Sequence, residues 1–110
     1  MNIALDYDGT FTADPLLWLR FIIDAQAYGH AVHMVTMRYP SEVSTMDPRI
    51  AQLGVAIHCT SRKAKKPACD ALALDIHVWI DDNPRAVQED ATQIWETQAP
   101  EGSPVVPDHG

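Results

Sequence analysis

Cysteine is nearly absent from this chain: Cys59 and Cys69 are the two thiols among 110 residues. Two thiols supply neither a disulfide framework nor a closed zinc site, so the fold has to rest on a hydrophobic core. Basic residues are also few, eight against fifteen acidic ones, for a formal charge of -7 at pH 7. That balance argues against a protein that binds nucleic acid or a membrane surface by bulk electrostatics, while leaving room for a local basic patch. Long apolar runs are missing too. The longest, Pro15 to Ile23, is broken by Arg20 and falls well short of the ~20 residues that a bilayer span needs. The opening Met1-Asn2-Ile3-Ala4-Leu5-Asp6 has no basic stretch ahead of its apolar residues, so it does not read as a signal peptide and a cytoplasmic location is expected.

What is present is enough for one domain, since 46% of the residues are hydrophobic and single domains commonly run to ~100–150 residues. Strand-like and helix-like segments alternate. Asn2 to Leu5 is a short apolar run closed by a Gly-containing turn, which suits a buried strand. Asp14 followed by Pro15 is a helix start, and Leu16, Leu17, Leu19, Ile23 and Ala27 recur at helical spacing until Gly29. Ala31 to Thr36 is a second strand, and Ser41 to Leu53 a helical region that Asp47-Pro48 divides. Val55 to Cys59 and Ile76 to Ile80 are further strands, with a helix over Pro67 to Leu74 between them. Asp82 to Asp90 reads as a short helix and Gln93 to Glu96 as a weak fifth strand. From residue 98 onward Pro and Gly are dense, so residues 1–97 are expected to form the folded core and 98–110 a flexible tail. Such alternation predicts an α/β fold, a Rossmann-like three-layer sandwich around a mainly parallel sheet of about five strands.

Ligands of such sheets bind beyond the carboxyl ends of the strands. Polar residues gather there in this sequence: Asp6 and Asp8 after the first strand, Thr36 and Arg38 at the second, Arg62, Lys63, Lys65 and Lys66 after the third, Asp81-Asp82 after the fourth. Carboxylates crowded together repel unless a cation neutralises them. An oxygen-rich acidic cluster favours a hard ion such as Mg²⁺, and metal, lysine and carboxylate nucleophile together are the equipment of phosphoryl transfer.

Asp6-Tyr7-Asp8-Gly9-Thr10, preceded by Ile3-Ala4-Leu5, resembles the DxDGT first motif of the haloacid dehalogenase-like (HAD) superfamily of phosphohydrolases. Val35-Thr36 resembles its second motif, a lysine ahead of a late helix its third, and Trp79-Ile80-Asp81-Asp82 its fourth, so that the likeness runs over residues 2–96. The resemblance implies a Mg²⁺-dependent phosphomonoester phosphatase. In it Asp6 is the nucleophile, forming an aspartyl-phosphate, and Asp8 the general acid and then base. Thr36 would bond the transferring phosphoryl oxygens, with Gly9, Thr10, Arg38 and Lys63 lining the substrate site. Lys66, which precedes Pro67, is the favoured phosphate lysine, with Lys63 the alternative. The metal set implied is Asp6, Asp8 through its backbone carbonyl, Asp82, and Asp81 in support.

The likeness departs from the pattern in two ways. One helix's worth of chain separates the first and second motifs, which leaves no room for a cap domain, and no third aspartate follows Asp82, since Asn83, Pro84 and Arg85 come next. A capless member implies an open site for a phosphorylated small molecule or a macromolecular phosphate end, in a monomer or homodimer. Thr36-Met37-Arg38 is similar to the T-x-R motif of polynucleotide phosphatases, which admits nucleic acid against the charge of -7. Simpler readings exist: Asp81-Asp82 before Asn83-Pro84 also suits an Asx-turn and helix cap, and Arg62 to Lys66 a solvated loop. The alternative to an enzyme is a catalytically weak or silent module that keeps a phosphate and metal pocket and recognises a partner protein.

Overall fold

The computed structural model describes residues 1–98. Four strands, β1 (Asn2–Leu5), β2 (Ala31–Thr36), β3 (Ala56–Cys59) and β4 (Val78–Ile80), form an all-parallel sheet in the order β3-β2-β1-β4. Four helices accompany them: α1 (Pro15–Ala27), α2 (Pro48–Gln52), α3 (Lys65–Ala71) and α4 (Ala91–Gln98). Short 3₁₀ segments cover Phe11–Ala13, Pro40–Thr45 and Pro84–Val87.

The first two strands and the first helix fall where the sequence puts them. Asp14 caps α1 by accepting a hydrogen bond from the Leu17 N–H at 3.3 Å, and Pro15 takes the first helical position, where its missing N–H costs nothing. Asp47 does the same for α2, accepting from Arg49 N at 2.9 Å. The expected fifth strand over Gln93 to Glu96 is instead part of α4. The reason is local: Asp90 N donates to Gln93 Oε1 at 2.7 Å, the return half of a capping box, and Ile94 turns inward on the helical period to pack with Met37, Ala86 and Ala91. The described sheet therefore has four strands, and the tail expected over 98–110 lies, from residue 99, outside the described residues.

Side-chain alternation along the strands divides the core. Ile3, Leu5, Val32 and Met34 cluster with Leu19, Ile22 and Ala25 of α1 and with Phe11 and Ile50. Ala4 and Val35 cluster with Cys69 of α3, with Leu74, Ile76 and Trp79 against them. Leu5, Ile22, Met34 and Ile50 are completely buried, and each such side chain stabilises the fold by ~1.5–3 kcal/mol. The two edge strands are short, three and four residues, which limits the unpaired backbone open to another chain.

Register sets the functional edge. Leu5 lies opposite Met34 on one side and Ile80 on the other, so Asp6, Thr36 and Asp81 leave the sheet at nearly the same level. Asp6 N still donates to Ile80 O at 2.9 Å, holding the first acidic residue in the ladder beyond the last paired position. Among the described residues no helix is long and apolar enough to cross a membrane.

Candidate functional site

Asp6 is the centre of the acidic edge, and its side chain is wholly enclosed. Its Oδ1 accepts from the Lys65 ammonium at 2.6 Å, and Oδ2 lies 3.1 Å from the Thr10 hydroxyl. The same Lys65 Nζ reaches Asp81 Oδ2, also at 2.6 Å. Thr10 Oγ1 in turn stands 3.2 Å from Asp82 Oδ1 and accepts from Asp82 N at 3.0 Å. Its single hydroxyl proton serves one carboxylate at a time. Asp81 uses its other oxygen to accept from Asn83 N at 2.9 Å, the Asx-turn that Asp-x-Asn suggests. One oxygen from each of Asp6, Asp81 and Asp82 lies within 4.8 Å of the others, a set that could hold a metal ion.

Three carboxylates therefore cluster with one ammonium, which two of them share. Burial pushes the Asp6 carboxyl up to about 8; Lys65 opposes the rise, while Asp82 and Asp81 add to it. Desolvation outweighs a 2.6 Å ion pair here because Lys65 is shared with Asp81 and because a buried carboxylate loses its water on every side.

Gly9 makes the cluster sterically possible. Its φ of +84° lies in the left-handed region, and a Cβ there would fall on the Asp82 carboxylate, 2.8 Å from its Cγ. Glycine thus lets the loop after β1 turn and lets β4's acidic pair close onto it. Gly9 N also donates to Thr12 Oγ1 at 2.9 Å, which ties the turn to the following 3₁₀ segment.

The lysine in the site is Lys65, which the sequence reading passed over. Lys66, favoured there, is half-exposed and pairs with Asp70 one turn along α3 at 3.0 Å, and Lys63 is largely exposed, 3.7 Å from Asp90. The cause is where α3 begins. Proline is tolerated anywhere in the first helical turn, and Pro67 occupies the third position, not the first, so the helix starts at Lys65 with Ala64 as its cap residue. Asp90 Oδ1 accepts from Ala64 N at 2.8 Å, and Thr60 donates to Lys63 O at 2.6 Å. These bonds fix the loop so that Lys65 enters the interior, where it is 1% exposed.

Asp8 and Arg38 form a separate unit. Arg38 Nε and Nη2 each donate at 2.8 Å to one oxygen of Asp8, a two-pronged pair in which both side chains are mostly buried. The Asp8 side chain is thus not one of the three carboxylates grouped as possible metal ligands. Thr36 is fully buried, and its hydroxyl accepts from Arg38 N at 3.2 Å; the hydroxyl bonded to the acidic cluster is that of Thr10. Arg62, in the left-handed region with Ser61 at φ of 69° and 53°, crosses to Met37 O at 2.9 Å and to Glu42 at 3.3 Å, over the Tyr39 ring. It is a brace between loops.

A groove of about 360 Å³ runs beside the acidic pair, lined by Gly9, Thr10, Ala13, Leu17, Trp18 and Asp82 among others. No protein-family model, curated protein or solved structure matches this chain.

Proposed function

We propose that this chain is a small, capless, Mg²⁺-dependent phosphohydrolase of the HAD-like kind, acting on phosphomonoesters through an aspartyl-phosphate. The observation that carries the reading is the convergence of Asp6, Asp81, Asp82 and Lys65 at the carboxyl ends of β1 and β4, the place where open parallel sheets carry their ligands. The donor set fits a hard divalent cation: all-oxygen ligands, excess negative charge, and a partly exposed side at Asp82. Asp6, Asp81 and Asp82 would hold the ion, which when bound supplies charge neutralisation for the transferring phosphoryl group.

The chain's own residues do the rest. An Asp6 oxygen attacks phosphorus as the ester P–O bond breaks, and Asp8, entering this step as the carboxylic acid, gives its proton to the leaving oxygen. Water then attacks the aspartyl-phosphate, Asp8 takes the proton, and phosphate leaves with Asp6 restored. Lys65 holds the Asp6 carboxylate in place and offsets the incoming charge. The surrounding architecture is read as the three-layer, Rossmann-like sandwich, and the substrate as a phosphorylated small molecule or a macromolecular phosphate end, met by a cytoplasmic monomer or homodimer.

One observation favours a second reading, a phosphate- or metal-binding module without turnover that recognises a partner protein: both Asp6 oxygens are engaged and its side chain is shut off from solvent. Hydrolysis of p-nitrophenyl phosphate with Mg²⁺ and with EDTA, alongside Asp6→Asn, separates the two. Metal-dependent release that the variant lacks is the expected result. Release equal in both proteins would remove the enzyme reading.

A further inference from the structure

Arg38 stands where a substrate-binding cation would be sought, at the end of β2 beside the acidic edge. Four of its five N–H groups are directed at acceptors of the protein itself. A guanidinium has five N–H groups in a rigid fork. Nε and one Nη2 hydrogen hold the two oxygens of Asp8 at 2.8 Å each. Nη1 donates to Thr45 Oγ1 at 2.8 Å and lies 3.5 Å from Glu42 O. Thr45 is itself fixed, donating to Glu42 O at 2.7 Å. The Tyr7 ring sits 5.1 Å from the guanidinium carbon. Arg38 is thus gripped from behind by the 3₁₀ segment Pro40–Thr45 and presents its planar edge to one carboxylate.

We infer that Arg38 is a positioning residue that sets the orientation of the Asp8 carboxylate for proton transfer, and is not a ligand of the substrate; the inference rests on the phosphohydrolase reading above. Each Asp8 oxygen keeps a second lone pair free of Arg38, so one of them can carry the proton that passes to the leaving oxygen while the fork holds the plane of the group. A lysine there would keep the charge and lose the plane. Thr45, in this arrangement, acts on Asp8 through Arg38.

Leaving-group dependence tests this. The value of kcat/KM reports the first phosphoryl transfer, where a simple alkyl phosphate needs its leaving oxygen protonated and p-nitrophenyl phosphate, with its stable phenolate, hardly does. Arg38→Met and Arg38→Lys are both expected to lower kcat/KM for the alkyl ester by about 10²-fold, the scale of a misplaced catalytic group, and to change the p-nitrophenyl value by only a few-fold. The double variant Arg38→Met with Asp8→Asn should be no slower on the alkyl ester than Asp8→Asn alone. Thr45→Val, which leaves the Asp8 pair in place, should show the same selectivity more weakly, and it carries the test if the Arg38 variants do not fold. Equal losses on both esters, rescue by lysine, or losses that multiply in the double variant would overturn the inference while leaving the enzyme intact. Wild-type protein without Mg²⁺-dependent turnover would remove the function proposed above and this inference with it.

Discussion

Replacing Asp6 by asparagine should make the metal-free protein more stable at alkaline pH, although it removes a residue at the heart of the site. The sign follows from proton linkage. The Asp6 carboxyl titrates near 8 in the folded protein against an ordinary value of 3.8, so between these values the folded state binds a proton that the unfolded chain has given up. Stability must then fall as pH rises, by about 1.4 kcal/mol per pH unit, or about 4 kcal/mol from pH 4 to pH 7. For a domain of this size that is a large part of the ~5–15 kcal/mol usually available. The amide of the Asp6→Asn variant cannot ionise, so its contribution does not change across the window. Urea unfolding of both proteins in EDTA at intervals from about pH 5 to about pH 8.5 isolates the term as a difference, which cancels the other titrating groups. The wild type should lose ground to the variant steadily and cease to do so above about pH 8. Parallel curves would refute the claim that burial dominates Lys65 at this carboxyl.

The two neighbouring lysines should differ sharply: Lys65→Met strips Asp6 and Asp81 of their shared cation and is expected to cost ~3–5 kcal/mol by urea midpoint, whereas Lys66→Ala, on an exposed helix face, should stay within ~0.5 kcal/mol. Gly9→Ala combines a left-handed backbone with a clash on Asp82, and a melting scan should show it destabilised by at least ~2 kcal/mol. Mg²⁺ added to wild type should raise the melting temperature, corresponding to ~2.7 kcal/mol at a hundred times its Kd; Asp82→Asn should abolish most of that rise, and an unchanged rise would show the ion bound elsewhere.

Where the sequence was legible, one strong local rule acted alone. Asp14-Pro15 and Gly29 bracket α1 because capping and backbone freedom need only neighbours in the chain, and the run Asn2 to Leu5 had no competing helical period. Pro67 misled because proline marks the first turn of a helix without saying which position of that turn, and a shift of two residues exchanged an exposed lysine for the buried one. Gln93 to Glu96 misled because a short run with Ile94 and Trp95 suits either period; the deciding signal, Asp90 with Gln93 three residues on, was present and is a helix start. The grip of Arg38 on Asp8 lay beyond reach, since it depends on where β2 sets Arg38 relative to a loop from β1. No rule of spacing reports that distance.

The order β3-β2-β1-β4 seats the last strand of the sheet beside the first. Thr10 and Asp82, 72 residues apart, share a hydrogen bond across that seam. During synthesis Asp6 therefore emerges well before Asp81 and Asp82, with Lys65 available to it first, and the acidic cluster is born in one step when β4 pairs with β1. Cation binding would consequently report that final pairing event, and a ribosome-bound chain ending before Val78 should capture none, however well its α1 and β2 have already packed.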